Sequence, residues 1–148
     1  MTTRLLVATT NPGKLREIRR ILGDLPVELL GLADVAPVIE PEETGDTFEA
    51  NALLKARYYA AHAGLLTVAE DSGLVIDALG GEPGVRSARY LRPDATYDER
   101  FADIFRRLAA VPERPRTARF VAAIACVDPR RTRFETTGTV EEIGRAHV

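Results

Sequence analysis

Apolar positions along the chain fall into two periods. Leu5-Leu6-Val7-Ala8 is a short continuous run bounded by threonines, which predicts a buried strand. Asn11-Pro12-Gly13 breaks the run, since Pro and Gly both favour turns. Leu15, Ile18, Ile21 and Leu22 then recur at spacings of three and four, which predicts a helix face, with Arg16, Glu17, Arg19 and Arg20 opposite and Gly23 as its stop. Val27 to Leu32 is a second strand candidate. Residues 33–46 have no period, contain Pro37, Pro41 and Gly45, and carry an acidic centre of Glu40, Glu42 and Glu43, so they are expected to form a loop. A long helix follows, capped by Asp46 or Thr47. Its stripe is Phe48, Ala52, Leu53, Ala56, Tyr59, Ala60 and Ala63, and Gly64 ends it with a left-handed backbone.

Leu65 to Ala69 predicts a third strand that stops at Glu70-Asp71-Ser72-Gly73, before an apolar pattern resumes over Leu74 to Leu79. Gly80, Gly81, Pro83 and Gly84 make a tight loop. Tyr97 to Ala110 predicts a third helix with Phe101, Ile104, Phe105 and Leu108 on one face. Ala118–Val127 and Arg133–Val140 are strands joined as a hairpin through residues 128–131. Helices and strands alternate early and a hairpin comes late, which is the pattern of an α/β protein with a mixed sheet. No repeat, low-complexity tract or long linker divides the chain.

Composition narrows the classes. With 148 residues, the chain fits one domain and can bury a core without staples. One cysteine, Cys126, excludes an internal disulfide framework and a multi-cysteine zinc site, and it is expected to be a small buried residue. A net charge of −2 gives no electrostatic case for a nucleic-acid partner. No apolar run approaches the roughly 18 residues of a membrane span. Met1-Thr2-Thr3-Arg4 leads into an apolar run without a signal-peptide pattern, so a cytoplasmic location and no membrane partner are expected. Only Lys14 and Lys55 are lysines among 20 basic residues, so these two stand out.

Four segments carry candidate chemistry. Thr9-Thr10-Asn11-Pro12-Gly13-Lys14 lies between a strand and a helix N-terminus, where free backbone N–H groups, hydroxyls, an amide and an ammonium suit a polyphosphate. It lacks the glycine spacing and Lys-Ser/Thr pair of a Walker A loop, and Asn11 serves equally as an ordinary helix cap. Glu70-Asp71-Ser72-Gly73 sits where a strand is expected to end, the usual place for a site in an α/β sheet, and its carboxylates can hold Mg²⁺. Consecutive strand side chains point to opposite faces, however, so both acids need not reach one ion. Glu42-Glu43-Thr44-Gly45 is either a solvated acidic loop or a further source of metal ligand. Gly80-Gly81-Glu82-Pro83-Gly84 with Ser87-Ala88-Arg89-Tyr90 reads mainly as a structural turn.

These segments, with Thr47-Phe48 and Asn51-Ala52-Leu53-Leu54-Lys55-Ala56, occur in an order that resembles the inosine/xanthosine triphosphate pyrophosphatase family from Leu5 to about Glu141. The resemblance implies an elongated mixed sheet flanked by helices, with two lobes around a central cleft. It implies Mg²⁺-dependent hydrolysis of non-standard purine nucleoside triphosphates (ITP, dITP, XTP) to monophosphate and pyrophosphate, by a homodimer. Asp71 matches the catalytic carboxylate and is metal-associated. Glu42 matches the acidic metal position, with Glu43 as the alternative. Thr9, Thr10, Asn11, Pro12, Gly13 and Lys14 match the triphosphate loop, and Ser72 a substrate contact. The alternatives are a pyrophosphatase for other modified or pyrimidine nucleotides, and an inactive nucleotide-binding fragment.

The chain departs from that family in two ways. Ala50 stands directly before Asn51 where an acid is common, with Glu49 one step earlier. The aromatic base-reading loop, a later lysine and a Ser-His-Arg motif are absent. The seven residues 142–148 can be encoded by a string that runs into a common sequencing adapter. The expectation is therefore a pyrophosphatase domain over 1–141, lacking its C-terminal part, and a non-native tail over 142–148.

Overall fold

The computed structural model describes residues 2–130 and 132–142. Of the expected tail over 142–148, residues 143–148 lie outside the described residues. Five strands form one sheet in the order β2-β1-β3-β4-β5, with β1 Thr3–Val7, β2 Val27–Gly31, β3 Leu66–Ile76, β4 Ala118–Val127 and β5 Thr132–Glu142. β1 pairs in parallel with β2 (Leu5 opposite Leu29) and with β3 (Leu5 opposite Leu66). β4 and β5 are neighbours joined by a connection too short for a parallel crossover, so the sheet is mixed, as the sequence predicts. No helix among the described residues is long and apolar enough to cross a membrane.

The chain divides into two compact units, residues 1–71 with 123–137, and residues 72–122 with 138–148. In the first unit, α1 (Pro12–Leu22) connects β1 to β2, and α2 (Phe48–Ala63) precedes β3. Leu6, Val7 and Ala69 are core residues of the strands. The alanine row Ala52, Ala56 and Ala60 on α2 is fully buried, because small side chains let a helix lie close against its neighbour. Thr47 caps α2 through the N–H of Ala50, and Gly64 ends it at φ 66° with its N–H on Ala60 O. α1 has no fully buried residue. It packs through half-buried Leu15, Ile18 and Leu22, while Ile21 is 67% exposed and leaves the face expected of it.

The loop after β2 has no hydrophobic period, yet it is stitched along α2. His62 Nε2 meets Ala36 O at 2.8 Å, the Tyr58 hydroxyl donates to Ile39 O at 2.5 Å, and Asn51 bonds Gly45. These side chains recur at i, i+7 and i+11, so one face of α2 holds the loop's backbone.

In the second unit, α3 (Tyr97–Ala109) packs Ile104 and Leu108 against Ile76, Ala78 and Leu79. Phe101 and Phe105, expected on the same face, are 47% and 39% exposed. Phe105 is one residue past Ile104, about 100° round the helix, and turns away from the core that Ile104 and Leu108 meet. The glycine-rich loop is a structural turn, as expected, with Gly80, Gly81 and Gly84 at positive φ. Cys126, on β4 in the first unit, is buried, also as expected.

β3 differs from expectation. It runs unbroken through Glu70-Asp71-Ser72-Gly73, the segment expected to end it. Burial alternates along it, with Thr67, Ala69, Asp71 and Gly73 inward on one face, so the polar residues obey the strand's period of two. Past Gly73 the strand is held by Ser87, whose Oγ accepts from Leu74 N–H at 2.9 Å and donates to Gly84 O at 2.6 Å. A Cβ on Gly73 would lie 2.5 Å from both Gly84 O and Ser87 Oγ. Gly73→Ala should therefore destabilise the protein by about 1–3 kcal/mol through overpacking. Urea denaturation checks this, and an unchanged midpoint would mean that the turn yields freely.

Candidate active site

The strand period separates the adjacent acids of β3. Each finds one of the chain's two lysines. Glu70 Oε1 accepts from Lys14 Nζ at 2.7 Å on one face. On the other face, Lys55 Nζ lies 3.2 Å from Glu43 Oε1 and 4.0 Å from Asp71 Oδ1. β1 pairs with β3 only as far as Val7 opposite Val68, and Ala8 N–H on Val68 O closes the ladder. Glu70 and Asp71 thus sit just beyond the carboxyl end of β1. The strand end that α/β ligand sites favour is here that of β1, not of β3 as the sequence suggested.

The loop from Thr9 to Lys14 is at the same end. Thr9 Oγ1 accepts from Asn11 N–H at 3.1 Å, and Asn11 Oδ1 accepts from Gly13 N–H at 2.9 Å and Lys14 N–H at 3.2 Å. Asn11 is therefore a helix cap, and it occupies two of the first-turn donors. Thr10, Asn11 and Pro12 are exposed. Thr9 and Lys14 border a cavity of about 190 Å³, with Val7, Ala8, Val68 and Glu70 also on its wall.

Among the described residues, Asp71 is the carboxyl group whose pKa is raised furthest. Its side chain is 9% exposed, and its Oδ2 is buried without a hydrogen-bond partner. Burial pushes its pKa up to about 6, and the neighbouring Glu43 charge adds to this. The Lys55 ammonium and a hydrogen bond from Asn51 act in the opposite direction. Lys55 Nζ lies between the two acids, so Glu43 and Asp71 share one ammonium. The structure brings Glu43 to Asp71, whereas Glu42 is exposed one residue earlier. Ser72 follows Asp71 on β3, half-buried, with its side chain on the opposite face.

Asp71 and Glu43 are the pair that could hold a hard cation. Two carboxylates on one ammonium, one with an unpartnered buried oxygen, fit a divalent ion that takes oxygen ligands. Among the described residues there is no cluster of three or more His, Cys, Asp or Glu suited to a metal. Mg²⁺ often takes one or two protein carboxylates and completes its shell with water and phosphate.

Lys55 and Asn51 belong to this site and were not singled out as site residues from the sequence. The rarity of lysine pointed to Lys55. Asn51 lies outside the apolar stripe of α2, so no helical period marks it, yet it is fully buried.

A family model described as the Ham1 family matches residues 5–145. The dITP/XTP pyrophosphatase of Symbiobacterium thermophilum is 52% identical over 126 residues, which cover 85% of this chain and 62% of that protein. The dITP/XTP pyrophosphatase of Geobacter sulfurreducens is 48% identical over 141 residues, covering 95% of this chain and 71% of that one. Among solved structures, a HAM1 protein from Coxiella burnetii superposes with a TM-score of 0.88 at 35% identity, over 95% of this chain and 72% of that one. The chain thus spans about 62–72% of the length of these relatives. A match over nearly the whole chain, in sequence and in fold, means that this protein belongs to the Ham1 family.

Proposed function

We propose that this protein hydrolyses non-standard purine nucleoside triphosphates such as ITP, dITP and XTP to the monophosphate and pyrophosphate, with Mg²⁺. The observation that carries the reading is Asp71, a buried carboxylate with a free oxygen and a pKa near 6, set beside Glu43 and Lys55. The name shared by the relatives, dITP/XTP pyrophosphatase, supports the choice of substrate.

Water must attack the α-phosphorus while pyrophosphate leaves. Asp71 is the general base in this reading. A carboxylate with a pKa near 6 is ionised at neutral pH and basic enough to take a proton from water. Lys55 Nζ holds Asp71 Oδ1 and Glu43 Oε1, leaving Oδ2 as the free oxygen. Asp71 with Glu43, rather than Glu42, would hold the cation. When bound, the cation supplies charge neutralisation on the phosphate oxygens. Lys14 and the remaining loop donors from Thr9 to Gly13 bind the triphosphate, and Ser72 contacts substrate from the next strand position. The reading also includes a homodimer, and a cytoplasmic location where nucleotide pools are met.

Pyrophosphate release from dITP, XTP and ITP against dATP and GTP, with Mg²⁺ or with EDTA, tests the reading. Selective, Mg²⁺-dependent release is expected. Release from none of them would overturn it.

Lys14→Ala should weaken triphosphate binding about 10–100-fold, and monophosphate binding much less, because a charge-assisted contact to the outer phosphates is lost. Calorimetric titration with non-hydrolysable triphosphate and with monophosphate checks this. Equal loss for both would place Lys14 away from the outer phosphates.

A further inference from the structure

We propose that Asn51 is a positioning residue whose buried amide clips the acidic loop to α2 and so sets Glu43 beside Asp71. The role of the two carboxylates rests on the pyrophosphatase reading above; the clip does not.

Asn51 is fully buried on the face of α2 that meets the acidic loop, where an unsatisfied amide would be costly. Both ends of the amide engage one backbone residue. Oδ1 accepts from Gly45 N–H at 2.7 Å, and Nδ2 donates to Gly45 O at 3.2 Å. Two bonds to one residue fix its orientation as well as its distance. The same amide acts on the Asp71 carboxylate, holding its pKa down. One side chain therefore fixes the loop to α2 and acts on the buried acid of β3.

The clip also explains the glycine. A Cβ on Gly45 would lie 2.7 Å from Asn51 Oδ1 and 2.8 Å from Ala50 Cβ, so a side chain there would push the loop off the helix. Glu43 is two residues upstream. Lys55 lies one turn beyond Asn51 on the same helix face and receives the Glu43 carboxylate at 3.2 Å. Tyr58 and His62 hold the loop further upstream, at Ile39 and Ala36. Asn51 is the stitch nearest Glu43 along the loop, and the one that acts on the Asp71 carboxyl.

The test compares the full chain with Asn51→Ala, Gly45→Ala and Glu43→Gln, with folding of each verified by circular dichroism. Mn²⁺, in the absence of nucleotide, is titrated by the loss of its free electron paramagnetic resonance signal. Exchange of the Gly45 amide is followed by NMR. Asn51→Ala should weaken Mn²⁺ binding about 10–100-fold, the range for residues that orient metal ligands. It should also strip Gly45 of protection. Gly45→Ala, with the Asn51 side chain intact, should weaken Mn²⁺ to a similar extent, which keeps the test decisive if Asn51→Ala does not fold. A folded Asn51→Ala or Gly45→Ala protein that binds Mn²⁺ within twofold of wild type would overturn the proposal, leaving Asn51 a purely structural residue. Tight Mn²⁺ binding by Glu43→Gln would instead overturn the two-carboxylate reading, and Gly45 protection would then decide the clip alone. A Gly45 amide that exchanges as fast in the wild type as in Asn51→Ala refutes the clip.

Discussion

Asp71→Asn is expected to lower turnover by about 10²–10⁴-fold, the usual contribution of a positioned general base, while nucleotide binding stays largely intact. The amide has the size of the carboxylate but cannot take a proton from water, and it is a poorer ligand for a hard cation. The environment predicts the pH dependence as well. Burial, then the Glu43 charge, holds the Asp71 pKa up at about 6. A base works only when deprotonated, so kcat/KM should fall as pH drops through about 6, and a bound cation should move that limb to lower pH. Steady-state pyrophosphate release across pH 5–8, at fixed Mg²⁺, measures both effects. Near wild-type turnover in the variant would remove Asp71 from the chemistry.

Why Asp71 was legible in the sequence, and its surroundings less so, follows from the range of the forces involved. The strand period of two is local, and it correctly separates Glu70 from Asp71. The end of β3 was misjudged because Glu-Asp-Ser-Gly has the composition of a turn. Its strand conformation is decided by distant partners, such as the Ser87 hydroxyl on Leu74 N–H. Whether Glu42 or Glu43 meets Asp71 was open for the same reason. In a loop without period, the face each acid presents depends on backbone anchors, here Gly45 on Asn51 and Ile39 on Tyr58. The pairing of Lys14 with Glu70 spans 56 positions of chain, and no spacing rule reaches that far. The helices were easier. Thr47, Gly64 and Asn11 act at the ends they cap through bonds to residues at most four positions away.

Lys55→Met should destabilise the protein by about 3–5 kcal/mol near pH 8, and by clearly less near pH 5. Lys55 is 14% exposed and lies between Glu43 and Asp71, so the change leaves both carboxylates without the ammonium that offsets them. The sign of the pH dependence comes from Asp71, whose pKa is raised from 3.8 to about 6. A carboxyl raised on folding contributes stability that is fully present below its unfolded pKa and is lost as pH rises through its folded one. Lys55 acts to lower the pKa, so without it the folded value climbs further and the loss on going to pH 8 grows. Urea midpoints of both proteins at pH 5 and pH 8 give the two differences. A wider gap at pH 8 is expected. Equal gaps would mean that the Lys55 stem contributes packing alone, and that its charge does not hold the two acids together.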